Sequence, residues 1–452
     1  MMAIKYQPCR VLSARCLFLL FAIFFLSKAA AQEQCGEPFA GVPDRRDVSI
    51  YQVNMRVFSE AGNFRGITAR LDSIRALGFN VMYLMPIYPV GQVRSVNSPY
   101  CIRDYLSVNK EFGTLSDLRA LVDGAHTRGM AVILDWVANH TAYDHPWTQN
   151  KSWYLQDAQG NIISPPGMGW NDVAQLNFKN QDMRNALIAA MKYWVLEANI
   201  DGFRCDYSDG PPHDFWEQAL DTIRSIKPHG LLLLSEGRRR DHFKAGFDYN
   251  FGFTFFEHLK KVFADKESAK VIDTLNVKDY IGTEPGQRIV RYTSNHDVNG
   301  SDGTPLELFG AKQGSMAAFV IVAYMKSVPM LYNGQEVGTP HRLTFPFTST
   351  KIDWNINPEL KAEYKKIIAF RNQSAAIRRA EPVSYTTDDV CAFTKQEGSE
   401  QVFVLVNVRN RPVTYVLPQT VTGYWKDAFS GKSIRFGKTI VLEPYQYIVG
   451  RR

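Results

Sequence analysis

Three apolar runs in the middle of the chain each stop at a carboxylate, and this repeated ending constrains the fold more than any other feature. Ile200-Asp-Gly-Phe-Arg-Cys-Asp-Tyr207 delivers Asp206, Leu231-Leu-Leu-Leu-Ser-Glu-Gly237 delivers Glu236, and Ile289-Val-Arg-Tyr-Thr-Ser-Asn-His-Asp297 delivers Asp297. Short apolar runs bounded by turn residues read as buried strands. Strands that each present an acid at their C-terminal end describe the catalytic face of a (β/α)8 TIM barrel. The rest of the chain fits. Strand candidates fall at 49–53, 81–85, 131–136, 200–205, 231–235, 247–250, 289–293 and 330–332. Helical periodicity intervenes at 68–77, 115–128, 184–199, 214–225, 255–263, 313–326 and 358–372. That is a β/α alternation with the eight strands a closed barrel needs.

The acids carry a chemistry of their own. Arg204 and Asp206 are two apart, so on a strand both point to one face. Alone, such a pair is usually a buried ion pair of no chemical consequence. Beside two more strand-end acids it suits a nucleophile that a cation keeps ionised. Glu236 follows four leucines and a serine with no cation on its own strand, a setting expected to raise its pKa and suit an acid. A two-carboxylate glycosidase needs such a contrast of environments. Asp297 follows His296, and the two are placed to grip sugar hydroxyls while the carboxylate stabilises a developing cation.

The stretches Asp135-Trp-Val-Ala-Asn-His140, Gly202-Phe-Arg-Cys-Asp206, Ser235-Glu-Gly237 and Ser294-Asn-His-Asp297 resemble the α-amylase family of glycoside hydrolases, family 13. Ser98-Pro-Tyr-Cys-Ile-Arg-Asp-Tyr105 and Val328-Pro-Met-Leu-Tyr-Asn-Gly-Gln-Glu336 extend the resemblance over nearly all of the mature chain. The resemblance implies Asp206 as nucleophile, Glu236 as acid/base and Asp297 as transition-state stabiliser. It further implies that Arg204 orients the nucleophile, that His140 and His296 bind hydroxyls, and that Tyr100 stacks under the sugar being cleaved. Two departures stand out. Tyr207 follows the nucleophile where the family often has a small residue, and Asp209 and Gly210 stand where lysine and histidine are usual. The family's calcium site, as the resemblance implies it, would use Asn139, acids of the insert and a carbonyl at Gly210. Here the insert offers only scattered acids (Asp144, Asp157, Asp172), and 58–65 lacks the dense oxygen ligands of a calcium loop. No cofactor is therefore expected to be required. Calcium is conceivable but not expected.

Organisation follows. Residues 1–31 read as a signal peptide: Arg10 and Arg15 form a basic n-region, 17–26 an apolar h-region, and Ala29-Ala-Ala31 a cleavage site. An exported, periplasmic or secreted protein is expected, cleaved near Ala31. Ten apolar residues fall short of the about 20 a membrane span needs, so no stable span is expected. This segment holds four of the seven net positive charges. The small remainder gives no reason to propose a nucleic-acid partner. The expected divisions are a lead at 32–47, the barrel at 48–140 and 181–374, an inserted segment at 141–180, and a C-terminal antiparallel β-sandwich at 375–452. The insert carries Trp147, Trp153, Tyr154 and Trp170 and reads as a substrate wall. Cys35, Cys101, Cys205 and Cys391 remain after cleavage; a Cys35–Cys101 disulfide is permitted, while Cys205 reads as a small buried residue. The run Arg238-Arg-Arg240 reads as a solvated face. Nothing in the pattern specifies an oligomeric state.

The reading is a retaining hydrolase of α-1,4-glucosidic bonds in starch- or glycogen-type glucans and malto-oligosaccharides. Endo action is expected, because Asn97 stands three residues before Tyr100 where exo-acting members usually carry an aspartate. The alternatives are cyclodextrin- or pullulan-cleaving or exo-α-glucosidase specificity on the same barrel, and an inactive glucan-binding protein. The first disagrees with a first strand that begins near Ser49, and the last with the presence of all three carboxylates.

Overall fold

Short, wholly buried strands alternate with helices along the first three quarters of the chain. The computed structural model describes residues 34–226 and 230–452, so the signal segment lies outside the described residues. Ten strands come first: β1 (Ile50–Val53), β2 (Val81–Leu84), β3 (Ala131–Val137), β4 (His140–Ala142), β5 (Val173–Gln175), β6 (Gly202–Asp206), β7 (Leu232–Ser235), β8 (Tyr249–Phe251), β9 (Arg288–Tyr292) and β10 (Val328–Tyr332). All but β4 and β5 join in a closed parallel barrel, in the order β1-β10-β9-β8-β7-β6-β3-β2. Parallel strands with both faces covered must be apolar throughout, which is why these segments read as continuous runs rather than alternations.

The surrounding helices show the same local logic. Leu115–Thr127 starts at a capping box between Thr114 and Asp117 and buries Leu118, Leu121, Val122 and Ala125, a one-sided stripe. Truncating Leu121 to alanine would cost about 2–5 kcal/mol. Gly202 opens β6 with φ 147°, and a β-carbon there would lie 1.9 Å from the Leu232 carbonyl oxygen. Only glycine lets β6 lie so close to β7 at this point.

The inserted segment departs from β3 and is anchored by the antiparallel pair β4–β5. Beyond the helix Pro358–Gln373 lie β11 (Val383–Ser384), β12 (Val390–Glu397), β13 (Glu400–Asn407), β14 (Val413–Val416), β15 (Gly423–Asp427), β16 (Ser433–Phe436), β17 (Thr439–Leu442) and β18 (Tyr447–Arg451). They form a six-stranded antiparallel sheet, β11-β12-β13-β18-β15-β16, and the ribbon β14-β17. Alternation assigns the sheet's two faces. Cys391, Phe393, Val402, Val404 and Val406 join the barrel's core, while Val390, Ala392, Phe403 and Leu405 join a separate core with Tyr415, Trp425 and Leu442. The sheet thus seals the barrel's flank with one face and closes its own sandwich with the other.

The four described cysteines are free thiols, so the permitted Cys35–Cys101 bridge is not formed. The buried Cys101 thiol instead donates to the Asp172 carbonyl at 3.3 Å. Cys205 is a fully buried core residue. Among the described residues, no helix is long and apolar enough to cross a membrane.

Candidate active site

The C-terminal ends of β3, β6 and β7 converge on one guanidinium. In the parallel register Asp135 lies directly beside Arg204, so their side chains share the inward face. Arg204, with no exposed surface, reaches Asp135 at 2.7 Å and Asp206 at 3.0 Å and also closes on Glu236. The expectation that Glu236 lacks a cation is therefore corrected: its own strand has none, but the neighbouring strand supplies Arg204. Three carboxylates on one buried cation leave excess negative charge. Burial pushes the Asp206 carboxyl well above the ordinary carboxylate range. Arg204 opposes this, and facing Glu236, Asp135 and Asp297 add to it. The position of Arg204 two residues away had suggested a lowered carboxyl; burial outweighs it. Asp135 is likewise raised by burial against the pull of Arg204.

Asp135 also organises a polar relay. Tyr83 and Tyr100 donate to its Oδ2 at 2.6 and 3.0 Å. Tyr100 Oη lies 2.7 Å from His296 Nε2, and Gln52 Nε2 lies 2.8 Å from His296 Nδ1. With the Gln52 amide donating to Nδ1, the proton of His296 sits on Nε2 and points at Tyr100. Burial lowers His296 and His140 to about 4, so both imidazoles are neutral near pH 7 and suited to binding hydroxyls.

Tyr207 takes a left-handed backbone, φ 37°, immediately after Asp206. Such a conformation is costly for a bulky residue and calls for a reason. It turns the Tyr207 N–H onto Glu236 Oε2 at 3.0 Å. The Tyr207 ring then meets Trp170 edge to face at 5.0 Å.

These groups open onto a cleft of about 850 Å³. Tyr100, His140, Asp206, Glu236, His296 and Asp297 line it, and Asp297 is 62% exposed to its water. Arg204 lies beneath the floor rather than on it. Residues that the sequence did not single out complete the picture: Asp135, Tyr83 and Gln52 below, and Val96, Phe345 and Phe347 on the walls. Asp135 opens the stretch 135–140, and its place in the middle of an apolar strand was the available signal. Of the insert's aromatics only Trp170 reaches the cleft. Trp147 and Trp153 pack on each other at 5.1 Å, and Tyr154 is buried against Thr141. The arginine run is not simply a solvated face: Arg238 pairs with Glu257 at the surface, whereas Arg239 reaches the Asp209 and Pro211 carbonyls.

The implied calcium position does not fit a cation. Gln175 Nε2 donates to the Asn139 carbonyl, to Asn139 Oδ1 and to the Leu176 carbonyl, at 3.0, 3.1 and 3.1 Å. An amide nitrogen thus takes up the Asn139 oxygens that a cation would need. Asp144 pairs with Arg103, and Asp157 caps a turn with Asn161. Among the described residues, no group of three or more His, Cys, Asp or Glu side chains is placed to hold a metal.

Comparison with known proteins bears on the family and the fold. The family pattern described as "Alpha amylase, catalytic domain" matches residues 43–161 and 168–410. The chain is 28% identical over 412 residues to Alpha-amylase 2 of Dictyoglomus thermophilum, covering 82% of this chain and 67% of the relative. It is 24% identical to a cyclomaltodextrinase of Geobacillus thermopakistaniensis, covering 80% and 65%. The chain spans about two thirds of the length of these curated relatives. In fold it resembles an α-amylase from Lactobacillus plantarum, with TM-score 0.81, 24% identity, and 90% of this chain and 99% of that one covered. With a barrel whose strand ends carry this carboxylate cluster and a family pattern running over most of its length, the chain belongs to the α-amylase family of glycoside hydrolases.

Proposed function

We propose that this chain is an exported, retaining, endo-acting hydrolase of α-1,4-glucosidic bonds in starch-type glucans and malto-oligosaccharides, with no calcium requirement. The observation that carries the reading is the pair Asp206 and Glu236, held by one guanidinium on the floor of a cleft with aromatic walls. Asp206 attacks the anomeric carbon while the bond to the leaving oxygen breaks and that oxygen takes the proton of Glu236. Glu236 then draws a proton from water, which displaces Asp206 and restores both groups. Neutral His140 and His296 bind hydroxyls beside the reacting centre, and Tyr100 offers a flat face. The names of the relatives, α-amylases and cyclomaltodextrinases, support an α-1,4-linked glucose substrate.

Two observations support endo action. Asn97 does not line the cleft; its carboxamide oxygen accepts from Arg56 at 3.1 Å, on the far side of the loop. A side chain tied there cannot grip a terminal sugar. Trp170, Phe345 and Phe347 present apolar faces that take successive glucose rings without demanding a chain end. Export rests on the basic, apolar and small-residue order of residues 1–31.

An end-blocked maltoheptaoside tests the reading. Cleavage with first-formed products in the α configuration by proton NMR is the expected result. Resistance of the blocked sugar while the free one releases glucose would sink endo action, and a first-formed β-anomer would sink retention. N-terminal sequencing of the mature protein should begin just after Ala31.

A further inference from the structure

We infer that Asp209 is a positioning residue for the acid/base Glu236: it fastens the loop that follows β7 to the loop that follows β6. The inference rests on the reading of Glu236 as proton donor given above.

Two loops meet here, 206–210 and 236–242, and backbone hydrogen bonds join them. The Glu236 N–H donates to the Cys205 carbonyl at 2.9 Å, and the Ser208 N–H to the Glu236 carbonyl at 2.8 Å. These bonds fix the backbone at Glu236 but not the chain beyond it, which bends at Arg238. Asp209 holds that bend. Its Oδ2 accepts from the Arg238 N–H at 2.8 Å, and its Oδ1 accepts from the Arg239 N–H at 3.1 Å. Oδ1 also lies 2.8 Å from Nε2 of His242, a side chain with no exposed surface. Arg239 closes the same junction from the other side by donating to the Asp209 carbonyl at 3.2 Å. One carboxylate therefore takes two consecutive N–H groups and a buried imidazole, all from the acid's own loop.

Gly237 records how closely the clamp is built. A β-carbon there would lie 2.3 Å from His242 Nε2 and 2.6 Å from Asp209 Oδ1. The acid's neighbour must be glycine because the Asp209–His242 pair packs directly on it. These contacts hold the backbone that follows Glu236 in place, while the Glu236 carboxylate itself meets Arg204 and the Tyr207 N–H. A general acid acts only within hydrogen-bond reach of the leaving oxygen, so its direction matters as much as its proton.

Asp209 does not line the cleft, and the groups it holds, two N–H groups and an imidazole, all belong to the Glu236 loop, so its loss should act chiefly through Glu236. A leaving group that needs no proton separates this from general weakening. Asp209→Ala should slow the glycosylation step on maltoheptaose by about 10–100-fold, a part of what a general acid supplies. On α-maltosyl fluoride, whose fluoride departs unprotonated, the pre-steady-state burst should change less than about 3-fold, as expected when only acid catalysis is impaired. Asp209→Asn retains one acceptor oxygen and should fall between. It also serves if the alanine variant does not fold. Equal losses on both substrates, or no loss on maltoheptaose, would overturn the inference. Glu236→Gln is the control: it should lose maltoheptaose cleavage and keep the fluoride burst. A Glu236→Gln enzyme that loses both equally removes the acid assignment and the clamp's purpose with it.

Discussion

The two walls of the cleft are built on opposite terms. The wall that follows β6 and β7 is over-determined: Arg204 holds three carboxylates from below, Tyr207 is strained into contact with Glu236, and Asp209 ties the loops together. The wall formed by Val96, Phe345 and Phe347 is apolar, and only Phe347 of the three is buried. Val96 is 53% exposed and Phe345 52%, and a single buried side chain, Arg56, bonds the carbonyls of Asn97 and Pro346 beneath them. Proton and nucleophile positions tolerate little error, whereas a passing glucan needs only flat apolar faces. On the proposed reading, the contrast puts the chemistry in one wall and the tolerance for chain length in the other.

The comparison breaks most visibly at the carboxylates. Asp206→Asn and Glu236→Gln should each lower turnover of maltoheptaose by at least about 10³-fold, the scale of a lost nucleophile or acid. Circular dichroism should report an intact fold. Retained activity in either variant would end the assignment. Arg204→Met should come next, because it leaves three buried acids without their cation. Removing one partner of a buried ion pair costs about 3–5 kcal/mol, and a clear fall in Tm with loss of activity is expected.

A subtler effect has the opposite sign. Burial raises the folded-state pKa of Asp206 above its unfolded value. Below the ordinary aspartate range both states are protonated and the group is neutral to stability. As pH rises from there through the raised folded value, the unfolded state releases its proton first, and stability is lost. Asp206→Asn removes that liability, so at pH 7 the variant should melt about 1–3 °C higher than the wild type. The gap should close as pH falls toward 4. A variant that melts lower at pH 7 would show that the Arg204 contact outweighs burial.

The apolar wall should respond more weakly. Phe345→Ala should raise KM for maltoheptaose up to about 10-fold, the loss of one aromatic face, with kcat little changed. A fall in kcat comparable to that of Asp209→Ala would erase the distinction between the walls. The smallest effect is expected from a chelator. With Gln175 seated among the Asn139 and Leu176 oxygens, EDTA should leave Tm unchanged. A large fall restored by calcium alone would contradict this.

Much of the barrel was legible because buried parallel strands are unbroken apolar runs, and all eight fall within one or two residues of their expected positions. The helix Lys270–Asp279 was not legible. It buries only Ile272, Leu275 and Asn276, too thin a stripe to show as periodicity. The site's acids were readable as strand endings, but their electrostatics were not. Glu236 owes its cation to the neighbouring strand, and the β3–β6 pairing that brings Asp135 to Arg204 skips the whole inserted segment. Phe345 and Phe347 sit in an irregular loop, where an aromatic carries no period to announce it. Asp209 was visible as a departure from the family's usual residues, yet its purpose depended on where the Glu236 loop runs.

The closure of the barrel also sets a clock. β1 pairs with β10, Ile50 against Met330, about 280 residues later. At the roughly 5–20 residues per second of synthesis, the first strand waits about 15–55 s for its second neighbour to be made. During that interval β1 presents an unpaired hydrogen-bonding edge with apolar faces, the feature most prone to joining another chain. Yield of active protein should therefore depend on how well nascent chains are kept apart during that interval, and slower translation should lower it before any loss of finished stability is felt.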